Sequence, residues 1–303
     1  METLKTDSID FSKYYADTAP KRVVFEKADY AEDVAQFIAN PQANKGKYIP
    51  WDKNGDFVGL RDSEVSLWAG VNGHGKSLAL GQVCLTLAEQ GEKILICSFE
   101  MQPKRTLLRM MHQAIGGSNT NPVNQKAFWD WKKNHVYVLD HHGMIDPHTM
   151  MAICRYAVAE KGITHIVIDS LMKCIPKETD YDAQKDFVNQ VCTFSQDTGA
   201  HVHLVHHVRK GEKETSMPDK WDIKGSGSIA DQVDNIFIVW RNKAKERELE
   251  EMGVADHNIP DAALICCKQR NGDWEGKIAL WMHRDSQQFI SLPIGLSYSY
   301  IGG

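Results

Sequence analysis

A chain of 303 residues, 42% hydrophobic and 25% charged, can bury one large core or two modest ones, which excludes wholesale disorder and collagen-like or disulfide-scaffold classes. The formal charge of −5 supplies no global basic field, so contact with nucleic acid has to come from local basic loops. Seven cysteines, odd in number, without C-x-x-C spacing and mostly in apolar runs, are expected to be reduced core residues. No run is long and apolar enough to span a bilayer and the N-terminus has no apolar leader, so a cytoplasmic protein without membrane contact is the expectation.

Residues 1–45 are polar, with one amphipathic segment, DYAEDVAQFIAN, and read as an arm or linker helix; residues 46–303 read as one domain. From Val65 onward, short apolar runs alternate with longer amphipathic ones, the pattern of parallel strands joined by crossover helices. VSLWA (65–69) is the first strand, followed by a glycine-rich turn and a helix from Ser77 to about Gln90. KILICS (93–98) is the second, and Pro103 opens a helix that Gly116-Gly117 ends. Strands are expected at VYVL (136–139), THIVID (164–169) and HVHLVHH (201–207), with helices near 147–161 and 182–198 between them. After a polar loop from Arg209 to Lys224 comes the strand NIFIVW. ALICCK and KIALWM then form an antiparallel hairpin at the sheet edge.

The motif GVNGHGKS (Gly70, Val71, Asn72, Gly73, His74, Gly75, Lys76, Ser77) fits the phosphate-binding pattern G-x-x-x-x-G-K-[ST] and lies between a strand and a helix, as that pattern requires. Its chemistry explains its spacing: glycines let successive N–H groups face phosphate oxygens, Lys76 reaches the β and γ phosphates, and Ser77 ligates magnesium. ATP and Mg2+ are the expected ligands. Asp169, at the end of a buried strand, is the second expected magnesium-side oxygen donor, with helix capping as its structural alternative. Glu100, two residues past the second strand, can serve as general base for the attacking water.

Together, GVNGHGKS, the SFEM block, HIVIDS, HVHLVHHVRK, the GSG at 225–227 and KQRNGDWEG at 268–276 make the chain resemble the DnaB-type ring helicases. Their ATPase domain in mitochondrial Twinkle and in bacteriophage helicase-primases is most similar. The resemblance implies a RecA-like α/β P-loop ATPase core with a largely parallel sheet and a C-terminal antiparallel hairpin, acting as a replicative helicase on single-stranded or forked DNA. It further implies 5′ to 3′ movement, Glu100 as catalytic base, His207 as a γ-phosphate sensor, and Lys268 and Arg270 as a lysine and arginine finger entering the neighbouring subunit's site. One departure is Asn271, where the family hairpin often carries an aromatic residue. No primase domain is read ahead of the ATPase, so a separate primase or polymerase is expected as partner.

Other clusters invite chemistry and have plainer readings. Asp140, His141, His142, Asp146 and His148 fall in one loop and are read as solvated rather than metal-binding, and His201 and His203 share a sheet face as a structural pair. Arg209, Lys210 and Lys213, and more weakly Lys173 and Lys177, are candidates for neutralising DNA phosphates in the channel of a ring, expected to have six subunits; interleaved Glu212 and Glu214 leave a solvated loop open for the first set. A finger pair some two hundred residues past the P-loop acts usefully in trans, which favours a ring. A filament-forming recombination ATPase and a signalling ATPase without nucleic acid share the core and remain alternatives.

Overall fold

The computed structural model describes residues 3–6, 9–15, 31–40, 43–177, 179–208, 217–223 and 227–301. Among the described residues ten strands form one sheet: β1 (Thr3–Lys5), β2 (Val65–Ala69), β3 (Ile94–Ser98), β4 (Val136–Asp140), β5 (His165–Asp169), β6 (His201–Val205), β7 (Asn235–Arg241), β8 (Ala262–Gln269), β9 (Gly276–His283) and β10 (Gln288–Ile290). Their spatial order is β1-β4-β3-β5-β6-β2-β7-β8-β9-β10, parallel through β7 and antiparallel beyond it. Parallel strands are buried on both faces, which is why β2, β3 and β5 read as largely apolar runs, and why the alternating histidines of β6 are buried as well.

The side chains nevertheless separate by the strand period of two. Val65, Leu67, Ile166 and Ile168 point to one core layer, Trp68 and Val167 to the other. The first layer is closed by α5 (Pro147–Lys161), α6 (Tyr181–Thr198) and the short α7 (Gly227–Gln232). The second is closed by α2 (Lys76–Glu89), α3 (Pro103–Ile115) and α4 (Pro122–Lys132). Local chemistry marks the helix starts: Asn121, Asp146 and Asp180 accept the backbone N–H of Asn124, Thr149 and Ala183, and proline opens α3, α4 and α5. The seven cysteines are free thiols, five of them buried.

Several boundaries differ from the sequence expectation. β6 ends at Val205, so His206 and His207 lie beyond it at the carboxyl end of the sheet. The β8–β9 hairpin is not the edge, because β10 adds antiparallel to β9. α4, α7 and α8 (Lys243–Met252) lie in stretches whose periodicity did not declare a helix. At the N-terminus, α1 (Ala31–Ala39) coincides with the amphipathic segment, while β1 pairs parallel to β4 and Phe11 packs into the core.

The amino end of the sheet buries a chain of neutral histidines, wider than the expected pair. The indole N–H of Trp68 donates to His203 Nδ1 at 3.1 Å, which leaves His203 Nε2 to donate to His165 Nδ1, also at 3.1 Å. His201 places Nδ1 2.5 Å from the carbonyl of Arg61, so its Nε2 accepts from Ser66 Oγ at 2.8 Å. Burial pulls His201 down to about 4 and holds His165 and His203 well below the usual histidine range. The unfolded chain therefore binds more protons than the fold, and the stability these groups contribute is present above about pH 6.5 and is lost as pH falls toward 4. His201 alone accounts for roughly 3 kcal/mol of this at about 1.36 kcal/mol per pH unit. The urea midpoint should fall across that window, with a measurably shallower fall in His201→Gln.

Candidate functional site

The parallel strands β2, β3, β5 and β6 end at one rim, and the P-loop, Glu100, Asp169 and His207 gather there. β2 delivers the chain into the loop Gly70–Ser77, which turns directly into α2. A Cβ at Gly70 would come within 2.5 Å of the carbonyl oxygen of Val239, and Gly75 holds φ at +91° to aim the start of α2 back over the loop. Asn72 and Gly73 are exposed, whereas His74 is buried and its Nδ1 accepts the backbone N–H of Arg241 at 3.2 Å. Lys76 is folded over the loop, donating to the carbonyls of Gly70 at 2.9 Å and Val71 at 3.3 Å. Burial lowers its pKa from the usual lysine value, and the nearby charges of Asp169 and Glu100 oppose that shift.

Ser77 Oγ, in the first turn of α2, donates to Asp169 Oδ2 at 2.6 Å. Burial raises the Asp169 carboxyl above the usual carboxylate range while the Ser77 hydroxyl works against it. A hydroxyl and a carboxylate oxygen converging beside a phosphate-binding lysine are the hard oxygen donors that Mg2+ prefers, so Ser77 and Asp169 fit that ion. Glu100 stands one residue past Phe99, its carboxylate 3.4 Å from Ser170 Oγ and 3.9 Å from His207 Nε2. The acid and the histidine, far apart in sequence, meet only because β3, β5 and β6 lie side by side.

Arg241 is a member of this site that its sequence did not reveal. Its Nη1 donates to the Gly73 carbonyl at 3.3 Å, and its guanidinium pairs with Glu246 on α8. Beside it lies a cavity of about 620 Å³ bounded by the P-loop at His74 and Gly75, by α8, and by Phe289 and Ile294 near the C-terminus. Arg109, on α3, shares a smaller cavity with Ser77 and Asp169. An arginine at the end of an apolar strand and a basic residue inside an amphipathic helix carry no motif, and only the packing of α3 and α8 brings them to the loop.

Lys268 and Arg270 lie at the opposite rim. Lys268 Nζ donates to the carbonyls of Ala230, Asp231 and Val233 at 2.8, 3.1 and 2.7 Å, closing the end of α7, and Arg270 pairs with Asp234 at 3.1 Å. Asp234 in turn accepts the N–H of Val65, the first residue of β2, whereas the P-loop follows the last. Five strand residues at about 3.3 Å each put roughly 16 Å between the two rims. Lys173 is half-buried in a 3-10 turn after Asp169, and Lys177 is exposed. Arg209, Lys210 and Lys213, with Gly225 and Ser226 of the GSG, lie outside the described residues.

Residues 53–213, just over half of the chain, match the AAA_25 family, described as an AAA domain. The chain belongs to this AAA-domain family. It is also similar to the replicative DNA helicase DnaC of Bacillus subtilis (strain 168), 23% identical over 221 residues that cover 66% of this chain and 46% of the relative. The replicative DNA helicase DnaB of Buchnera aphidicola subsp. Schizaphis graminum (strain Sg) is 23% identical over 245 residues, covering 73% and 50%. The chain therefore spans about half the length of the curated relatives it matches. Among solved structures, one described as an ATPase domain aligns with a TM-score of 0.72 at 15% identity, covering 89% of this chain and 100% of that one. A DnaB-like replicative helicase, described with its interactions with primase, aligns at 0.67 and 15%, covering 89% and 68%. The RecA-like fold and the DnaB-type likeness read from the motifs agree with these relatives. No described helix of this AAA domain is long and apolar enough to cross a membrane.

Asp169→Asn keeps an acceptor for Ser77 but removes the charge from the oxygen pair. In calorimetric titration with a non-hydrolysable ATP analogue, the gain in affinity on adding Mg2+ should shrink about 10- to 100-fold while magnesium-free binding holds. An undiminished gain would assign the ion to other residues.

Proposed function

We propose that this AAA domain is the motor of a replicative DNA helicase, which hydrolyses ATP in a ring of subunits, six in number, and moves 5′ to 3′ on single-stranded DNA to part a fork. The observation that supports this reading is that the candidate residues divide between two rims of one sheet. P-loop, Ser77, Asp169, Glu100 and His207 share the carboxyl rim, while Lys268 and Arg270 stand at the amino rim, held by their own chain. A subunit with half a site at each rim is suited to a head-to-tail assembly, in which each interface completes one site.

On binding ATP, Lys76 leaves the carbonyls of Gly70 and Val71 for the β and γ phosphates, and the loop's N–H groups take the remaining oxygens. The base and ribose enter the cavity beside Arg241. Ser77 and Asp169 would hold Mg2+, which would supply neutralisation of phosphate charge. Glu100 accepts the proton of the attacking water, and His207, next to it, reports the presence of the γ-phosphate. The neighbour's Arg270 and Lys268 stabilise the charge that develops on transfer. The apolar face of α1, with Val34, Phe37 and Ile38 exposed, packs on an adjacent subunit. Arg209, Lys210 and Lys213, with Lys173 and Lys177, contact the DNA backbone, and a separate primase or polymerase works with the ring.

A forked duplex with ATP and Mg2+ tests the reading directly: the wild type should unwind it and Lys76→Ala should not. Glu100→Gln should bind ATP normally and trap it, since an amide cannot take the water's proton; single-turnover hydrolysis at the wild-type rate would move the base role elsewhere. Wild-type protein that hydrolyses ATP at a rate indifferent to single-stranded DNA, and leaves the fork paired, would end the helicase assignment.

The shared site has its own test. Arg270→Ala should assemble and bind ATP yet lose about 10³ to 10⁵ in hydrolysis rate. Mixed with Lys76→Ala subunits, also inactive alone, it should regain ATPase activity, because a Lys76→Ala subunit lends its Arg270 to an intact neighbouring P-loop. No recovery in rings shown by native mass spectrometry to be mixed would place the arginine in cis or outside the reaction.

A further inference from the structure

The turn that follows β8 is fastened to the amino ends of β2 and β7 by two buried carboxylates. Glu64 and Asp234 are only 3% and 7% exposed. All four of their oxygens are engaged: Asp234 Oδ1 with the Arg270 guanidinium at 3.1 Å and Oδ2 with the N–H of Val65 at 2.8 Å, Glu64 Oε1 with Asn271 Nδ2 at 2.7 Å and Oε2 with Asn235 Nδ2 at 2.8 Å. The backbone is tied as well, through Arg270 N–H to the Asp234 carbonyl and Asp234 N–H to that of Val65, both at 2.9 Å. Arg270 Nη2 reaches the carbonyls of Asp231 and Gln232 at 3.2 Å each. Its side chain is still 45% exposed, so part of the guanidinium faces outward from this anchorage.

Burying two carboxylates side by side costs several kcal/mol for each unless partners satisfy them, and neutral residues could have capped Val65 and Asn235 without that cost. The cradle extends to Ser66 and His201, since Asn235 Nδ2 also donates to Ser66 Oγ at 3.1 Å. Glu64 immediately precedes β2, and the five residues of β2 lead without interruption to Gly70.

We propose that Glu64 and Asn271, together with Asp234, are positioning residues: they hold Arg270 at the angle at which it enters the neighbouring nucleotide site, and they fix that angle to the strand that carries the subunit's own P-loop. This rests on the trans role of Arg270 proposed above. The Asn271 amide is the part of the cradle contributed by the turn itself, a short side-chain donor that reaches Glu64 Oε1 at 2.7 Å.

The test uses mixed rings in which one subunit supplies the site and the other only the finger. Arg270→Ala supplies intact sites. Lys76→Ala, alone or with Asn271→Ala or Glu64→Gln added, supplies the finger. Recovery with the Asn271→Ala donor should be about 10- to 100-fold below that with Lys76→Ala alone, as a drop in kcat at unchanged KM for ATP, the effect of an ångström-scale misplacement. Glu64→Gln keeps one acceptor oxygen for two donors, Asn271 and Asn235, so recovery with its donor should fall between that with Lys76→Ala alone and that with the Asn271→Ala donor. Asn271 is exposed, so its variant keeps the test open should Glu64→Gln fail to fold. Recovery by the Asn271→Ala donor equal to that of Lys76→Ala overturns the positioning role and leaves the trans finger standing. Greater recovery also overturns it, since the cradle would then be restraining Arg270 from its target. Failure of Lys76→Ala itself to restore activity removes the finger reading and the positioning role with it.

Discussion

The hydrogen bond from Ser77 Oγ to Asp169 Oδ2 joins the first turn of α2 to the last residue of β5, and it can form only if β2 and β5 run parallel and finish at the same rim. That constraint organises the carboxyl end of the molecule. In the order β3-β5-β6-β2, each strand contributes a residue at or just past its end: Glu100 after β3, Asp169 at the end of β5, His207 after β6 and the P-loop after β2. Placing an anionic ligand there also draws on the positive end of α2, whose first backbone N–H groups have no partner within the helix.

At the amino rim the same strands begin among polar groups that are buried and almost fully paired. The Trp68–His203–His165 chain and the Arg61–His201–Ser66–Asn235–Glu64 chain each fix a tautomer or an amide orientation by donors that can only donate and carbonyls that can only accept. Such networks are stiff because any rearrangement strands a polar group without water. A rim so built gives Lys268 and Arg270 a fixed platform.

The two rims lie at the two ends of one short strand, so the P-loop and the turn that carries Arg270 are joined by one element. In the assembly proposed above, where each interface joins one carboxyl rim to one amino rim, β2 would link a subunit's own site to the one it completes for its neighbour. That strand is five buried residues, paired with β6 over Val65–Trp68 and with β7 over Ser66–Ala69.

The sequence by itself determined the local features whose physics is short-range. The strand VSLWA, the glycine loop and Lys76-Ser77 were legible because loop closure around phosphate needs those residues at that spacing, and helix starts at Pro103 and Pro147 because proline suits a first turn. It also put Asp169 and Glu100 at strand ends, where ligands of parallel sheets lie. Tertiary structure alone decided the rest. α4 and α8 were hidden because aromatic or charged residues blur their periodicity, β6 was read two residues long because His206 and His207 follow Val205 with no glycine or proline to mark a strand end, and β10 took the edge from the hairpin. The approach of Glu100 to His207, the entry of Arg241 and Arg109 into the site, the third histidine of the buried chain and the clasp of Glu64 on Asn271 all join residues far apart in sequence. Contacts of that kind are set by which strands become neighbours, and strand order is a property of the packed sheet that no local pattern encodes.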